Sequence, residues 1–436
     1  MTYKLNRRTV LRTGTAALAA PLIAGRARAQ GTPLRFTQFY APGGEVPAQV
    51  AWFENLVASW NATHEQQVLL EYVPAGDYMG GRLTTLFATG EGPDIFLLSP
   101  GDFLRYLNGG ALADISQFVP DIVKADFSEG VLASRMVGDR IYGIPMEVEP
   151  MAMYYSVRAF EDAGLNESDL PSTWDDMLSL GERLTTDDRY GLLFDTNPGF
   201  YQNFTWYPWF WQAGGAFQNA DGGSAFGSPA AEAALGLWQN AVALGAAPRQ
   251  ILGGGGWDIV PNLGSGFAAM QNCGVWGIAA LQDAMPDEPF GVFPMPTPEG
   301  GAATSVGGGW AFCANARGGN PEAAAEFCAW ALASEDPASS ARMVDWCTVA
   351  KTNIPPRASA LEAGAEALQS GQMATFTNEI LPTVRAEPRM PPEVYSAISD
   401  AIQAAMLGGT APAEAAATAS DRIDAFLATY DGAPIL

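Results

Sequence analysis

From Leu34 onward, short apolar runs alternate with helix-period stretches, and that alternation constrains the fold more than any other feature. Residues 34–40, 68–73 and 94–98 read as strands, with helices over 46–60 and 79–89 between them. Strands separated by helices predict an α/β class with a parallel sheet covered on both faces. Gly90, Gly92 and Pro93 stop the second helix before the third strand. The rhythm resumes after Ile141 with a strand over 152–156, a helix opening near residues 172–175, and an Ala-rich helix over 229–244 capped by Ser228. Residues 267–272, 290–294 and 305–314 read as later strands, and helices dominate from Pro321. A chain of 436 residues is too long for one core. Breaker-rich stretches at 143–150, 294–301 and 351–356 predict three crossings between two lobes. The expected division is 30–144 with 302–350 for one lobe, and 145–301 with 351–436 for the other.

The first 29 residues read as an export leader. Lys4, Arg7, Arg8 and Arg12 precede a short apolar stretch, and Ala27-Arg28-Ala29 has the small-x-small pattern of a cleavage site. Residues 6–12, with the Arg7-Arg8 pair, resemble a twin-arginine signal. A periplasmic protein cleaved after Ala29 is expected, since no later stretch is apolar enough for a membrane span.

The chain as a whole is acidic. Asp and Glu number 47 against 23 Lys and Arg, which argues against nucleic acid as a partner. His64 is the only histidine, so no multi-histidine metal site can form. Cys273, Cys313, Cys328 and Cys347 contain no CxxC pair, and their spacing leaves a disulfide open. No metal and no cofactor are expected. Ser305 has nearly the spacing of a nucleophile elbow, but His64 precedes it where an α/β-hydrolase needs its histidine afterwards. The glycines at 253–256 read as a loop, because no phosphate-binding motif completes them.

Residues 200–211 hold eight aromatics in twelve positions, more than one buried helical stripe can absorb. Some of them are expected to line a cavity, where rings stack on apolar ligand faces. Trp276 beside Gly274 and Gly277, and Trp310 after Gly307, Gly308 and Gly309, add indoles where glycine lets a ligand come close. Glu147 and Glu149 lie two apart between Pro145 and Pro150, so an extended chain would put both on one face. That pair reads first as an acceptor of ligand hydroxyls. The competing reading is the acid and nucleophile of a secreted glycoside hydrolase.

Several ordered pieces resemble the carbohydrate-binding subunits of bacterial ABC importers, the family that includes the maltose-binding protein. They are Gly92-Pro93-Asp94-Ile95, residues 109–114, Tyr142-Gly143-Ile144-Pro145 leading to 153–156, 163–165 followed by 171–177, 266–270 ending in Gly274-Val275-Trp276, Gly307-Gly308-Gly309 with the helix after Pro321, and 408–417. The resemblance implies the two-lobed type II periplasmic binding protein fold, a Venus flytrap hinged on strands. It also implies a monomer that closes on a small-molecule carbohydrate and delivers it to transmembrane permease subunits, without enzymatic chemistry. Residue by residue, it points to Glu149 as a hinge-side carboxylate, Asp102 as a polar loop residue of the first lobe, Trp276 as a stacking ring and Tyr395 as another ring. Tyr201, Phe204 and Trp206 are candidates within the aromatic region. The cleft segments 40–45, 99–102, 147–149 and 274–277, which include Tyr40, carry Glu45, Asp102, Glu147 and Glu149 but no Lys or Arg. A neutral sugar, oligosaccharide or polyol is therefore expected. The alternative is an anionic solute clamped by Arg385 and Arg389.

Overall fold

The computed structural model describes residues 31–435; the expected leader lies outside them. Thirteen strands are found among the described residues: β1 (Leu34–Gln38), β2 (Val68–Tyr72), β3 (Ile95–Leu98), β4 (Met136–Val137), β5 (Arg140–Ile141), β6 (Ile144–Pro145), β7 (Glu149–Ser156), β8 (Tyr190–Leu193), β9 (Ala268–Gly274), β10 (Phe290–Phe293), β11 (Ser305–Gly308), β12 (Ala311–Ala314) and β13 (Val384–Ala386). One sheet has the order β2-β1-β3-β12-β6, and the other β13-β11-β7-β9-β8 with β10 also on β7. The sequence reading expected parallel sheets. Both are mixed, because the strand that enters each lobe from the other runs against its neighbours: β12 is antiparallel to β3 and β6, and β7 is antiparallel to β9, β10 and β11.

Each sheet has its own core. β3 is buried along its whole length, as a central strand covered on both faces should be. Phe36, Phe53, Phe96, Phe312, Phe327 and Trp346 pack together in the first lobe. Met153, Leu192, Trp206, Trp209, Trp238 and Ile398 anchor the second. The Ser228 hydroxyl accepts from Ala231 N–H and Pro229 opens the helix Pro229–Ala243; Thr173 caps the helix Trp174–Leu184 in the same way.

Two organisational expectations need correction. The stretch 294–301 does not cross between lobes: Thr297 pairs with Thr173 inside the second lobe. The crossing lies at Gly309 and Trp310, where the run read as one strand breaks into β11 and β12. β11 therefore belongs to the second sheet, not to the first lobe as the division at 302 implied. Gly309 has φ of 122°, and a Cβ there would collide with the Glu147 carbonyl, so only glycine makes this turn. The other crossings run from β6 to β7 and through residues 351–356, where Ile354 pairs with Val148. All four cysteines are free and buried.

Candidate ligand cavity between the lobes

A cavity of ≈ 630 Å³ opens where the three crossings meet. The first lobe contributes Phe39, Tyr40 and the loop through Glu45, together with Ser99 and Trp310. The second contributes Phe200, Tyr201 and Phe204 from the helix Phe200–Gln212, with Trp257, Asp258, Trp276 and Glu387. Trp276 lies back over β9 because Gly274 has no side chain: a Cβ there would sit within the indole ring. Its Nε1 donates to the Trp257 carbonyl at 3.0 Å, which holds the ring in the cavity wall. Phe39 meets Trp310 edge-on with centroids 4.7 Å apart.

The polar floor centres on Lys351. Its Nζ donates to Glu147 Oε1 at 3.1 Å, to the Tyr40 hydroxyl at 2.9 Å and to Glu149. Burial pushes the Glu149 carboxyl up to about 7, with the Lys351 ammonium pulling the other way and Glu147 adding to the rise. Burial likewise raises Glu387 to about 8, opposed by the Arg135 charge and the Gly101 N–H and increased by Glu149. Two buried hydroxyls on the wall, those of Ser99 and Tyr201, have no hydrogen-bond partner. Such groups are costly unless something fills the space. The whole arrangement can hold a solute with apolar ring faces and a hydroxyl rim.

A sequence profile described as bacterial extracellular solute-binding protein matches residues 43–336. The chain belongs to that family. A lipoprotein of Streptomyces antibioticus, itself uncharacterised, is 28% identical over 269 residues; the alignment covers 60% of this chain and only 59% of that protein's length. Two solved structures share the fold of this solute-binding protein. One is an ABC transporter solute-binding protein from Thermotoga lettingae bound with α-D-tagatose (TM-score 0.76, 21% identity, covering 91% of this chain and 100% of that one). The other is the cyclic α-maltosyl-1,6-maltose binding protein of Arthrobacter globiformis (TM-score 0.72, 20% identity, covering 91% and 99%).

Of the residues singled out in the sequence, Tyr40, Glu149, Tyr201, Phe204, Trp276 and Trp310 line the cavity. Five do not. Trp206 is fully buried in the second core, stacked on Phe210 with its Nε1 directed at the Ala234 carbonyl. Glu147 is buried behind the wall and occupied by Trp346 Nε1 at 2.6 Å, Asn353 Nδ2 at 2.5 Å and Lys351. With every oxygen engaged it cannot serve as the acid of a hydrolase. Gly308 is a β11 residue packed under Phe204 and Glu387. Asp102 and Tyr395 face a second, smaller cavity of ≈ 240 Å³. There Arg105 Nε donates to Asp102 Oδ1 at 2.7 Å, and the Tyr395 hydroxyl, which accepts from Arg105, donates to the same oxygen at 3.3 Å. Asp102 and Arg105 ride on the helix Pro100–Asn108 and Tyr395 on the helix Pro392–Met406, so this triplet ties one lobe to the other.

The expectation of a cleft without a cation also fails, since Lys351 is in its wall. Neither arginine of the anionic alternative reaches the cavity. Arg385 lies 4.5 Å over the Trp211 ring, and buried Arg389 donates to the carbonyls of Met136 and Pro434. Lys351, Trp257, Asp258 and Glu387 were missed as site residues. Lys351 opens the breaker-rich crossing at 351–356, and Trp257 and Asp258 follow the four-glycine loop at 253–256, so position relative to breakers is the signal that points to them.

Proposed function

We propose that this protein is the periplasmic binding subunit of an ABC importer for a polyhydroxylated ring solute, a sugar, oligosaccharide or polyol. The observation that carries this reading is the aromatic cavity between hinged lobes with partnerless hydroxyls on its wall. Aromatic faces suit the C–H faces of a sugar, and Glu149, Glu387, Ser99 and Tyr201 suit its hydroxyl rim. The two solved relatives bind a ketose and a cyclic oligosaccharide, which agrees with the reading. The ligand joins the two lobes and shifts the population toward the closed form, which docks on the permease subunits. The hinge consists of residues 146–148, 309–310 and 351–356, with Arg357, Ser359 and Ala360 still held on the first lobe before the chain continues into the second. Delivery to the periplasm follows from a twin-arginine leader cut after Ala29.

A thermal-shift screen of the mature protein against sugars, amino sugars and polyols tests this directly. A ligand that binds only the folded state raises the melting temperature. At least one compound of the class should do so, with calorimetry giving one site per chain; stabilisation only by anionic solutes overturns the proposal.

A further inference from the structure

Carboxylates dominate the charge of the cavity. Glu45, Glu149, Asp258 and Glu387 line it against the single ammonium of Lys351, and that ammonium is already taken up by Glu147, Glu149 and Tyr40. Glu45 and Asp258 have no basic side chain in ion-pair range among the described residues. They also come from opposite lobes. Glu45 precedes the helix Pro47–Thr63 of the first lobe, whereas Asp258 follows the four glycines of the second, where it accepts from Gly254 N–H at 3.0 Å. Burial, and after it the Asp258 charge, raise the Glu45 carboxyl. Because both line one cavity from opposite lobes, bringing the lobes together sets like charge against like charge over the solute.

An independent feature points the same way toward an occupant. Ser99 stands at the N-cap position of the helix Pro100–Asn108 yet caps nothing. Its hydroxyl is buried, without a partner, on the wall of both cavities. Between these polar groups the walls are ring faces, which attract cations through their quadrupole; Lys351 Nζ already lies 5.3 Å from the Tyr40 centroid.

We propose that the solute is a hydroxylated ring carrying a protonated amine, an amino sugar or amino cyclitol, whose ammonium bridges Glu45 and Asp258 as the lobes close. This rests on the polyhydroxylated-ring reading above and narrows it. A neutral sugar would leave the Glu45–Asp258 repulsion in place at closure. A bare metal ion is the poorer occupant, since no group of three acidic, His or Cys side chains able to hold one is present among the described residues.

Matched pairs differing only in the amine separate the possibilities: glucosamine against glucose, chitobiose against both cellobiose and diacetylchitobiose, and an amino cyclitol against its parent cyclitol. Calorimetry at mildly acidic pH should show the amine member binding about tenfold tighter in any pair that binds, the worth of a charge-assisted hydrogen bond. That preference should shrink as salt rises. The Glu45→Gln and Asp258→Asn variants, both partly solvent-exposed positions, should bring the ratio toward one. Equal or tighter binding of the neutral members overturns the amine inference and leaves the polyhydroxylated-ring reading standing. Binding of no member of any pair, and of nothing in the saccharide screen, overturns both. Stabilisation by calcium chloride alone that is lost in the two variants assigns the carboxylates to a metal and likewise overturns the amine.

Discussion

Lys351 has three protons and three neighbours to receive them, two of which are carboxylates more than two hundred residues earlier in the chain. Removing it leaves Glu147 and Glu149 buried without their cation. The Lys351→Met variant is expected to lose about 3–5 kcal/mol of stability in urea denaturation, the range for breaking a buried pair from one side. Adding Glu147→Gln should recover part of that loss. Asp195 is a further buried acid, outside the cavity: burial lifts it from the ordinary 3.8 to about 7, partly opposed by the Asn197 and Gly256 N–H groups. The folded state thus holds a proton that the unfolded chain releases at lower pH. Its contribution is complete below about 4 and is lost as pH rises through about 7. Asp195→Asn should escape that loss and gain on the order of 4 kcal/mol over the native protein across this window, read from urea midpoints at each end. Aromatic and acidic cavity residues were legible as types, because Trp beside Gly and paired Glu stand out locally. The ion-pair network around Lys351 was not legible, since it depends on which residues meet across the hinge.

The helix Phe200–Gln212 has two audiences. Phe200, Tyr201 and Phe204 face the ligand cavity, whereas Trp206, Trp209 and Phe210 lie in the second core. Aromatics on every side of the helix erase the periodicity that would have separated these faces, which is why Trp206 was placed with the wrong group. Substitutions should separate them. Trp206→Ala is expected to lose about 3–5 kcal/mol of folding stability with little effect on affinity in the surviving folded fraction. Trp276→Ala should lose about 1–3 kcal/mol of binding with a smaller change in unfolding. Denaturation and calorimetry on both variants check the pair; an unchanged affinity in Trp276→Ala would remove that ring from the site. Most of the longer strands were readable from alternation and breakers, whereas β8, β13 and the two-residue β4 and β5, too short to show a period, were not. The split of residues 305–314 was not, because a glycine turn with positive φ is visible only once both sheets exist.

At the scale of the whole molecule, polar contacts outside the hinge also tie the two lobes together, among them Arg389 to the Met136 carbonyl and Asn108 to Tyr430 and Ala433. The Asp102, Arg105 and Tyr395 triplet is one such tie. Tyr395→Phe keeps the ring and deletes the interlobe hydroxyl, so it should favour the open form. A severalfold weaker apparent affinity is expected, about 0.5–1.5 kcal/mol, with a larger radius of gyration by X-ray scattering of the ligand-free protein. Export is a property of the full precursor. Replacing Arg7 and Arg8 together by lysine should leave the precursor in the cytoplasm, and an unchanged periplasmic yield on fractionation would refute the twin-arginine route. The order of the first sheet carries a different consequence. β12 sits between β3 and β6, yet it is translated only after the entire β7-to-β11 portion of the second lobe. Until then β3 has an unpaired edge that can template wrong pairing. The first lobe, though begun first, must be completed late, and its assembly is paced by closure of a long chain loop.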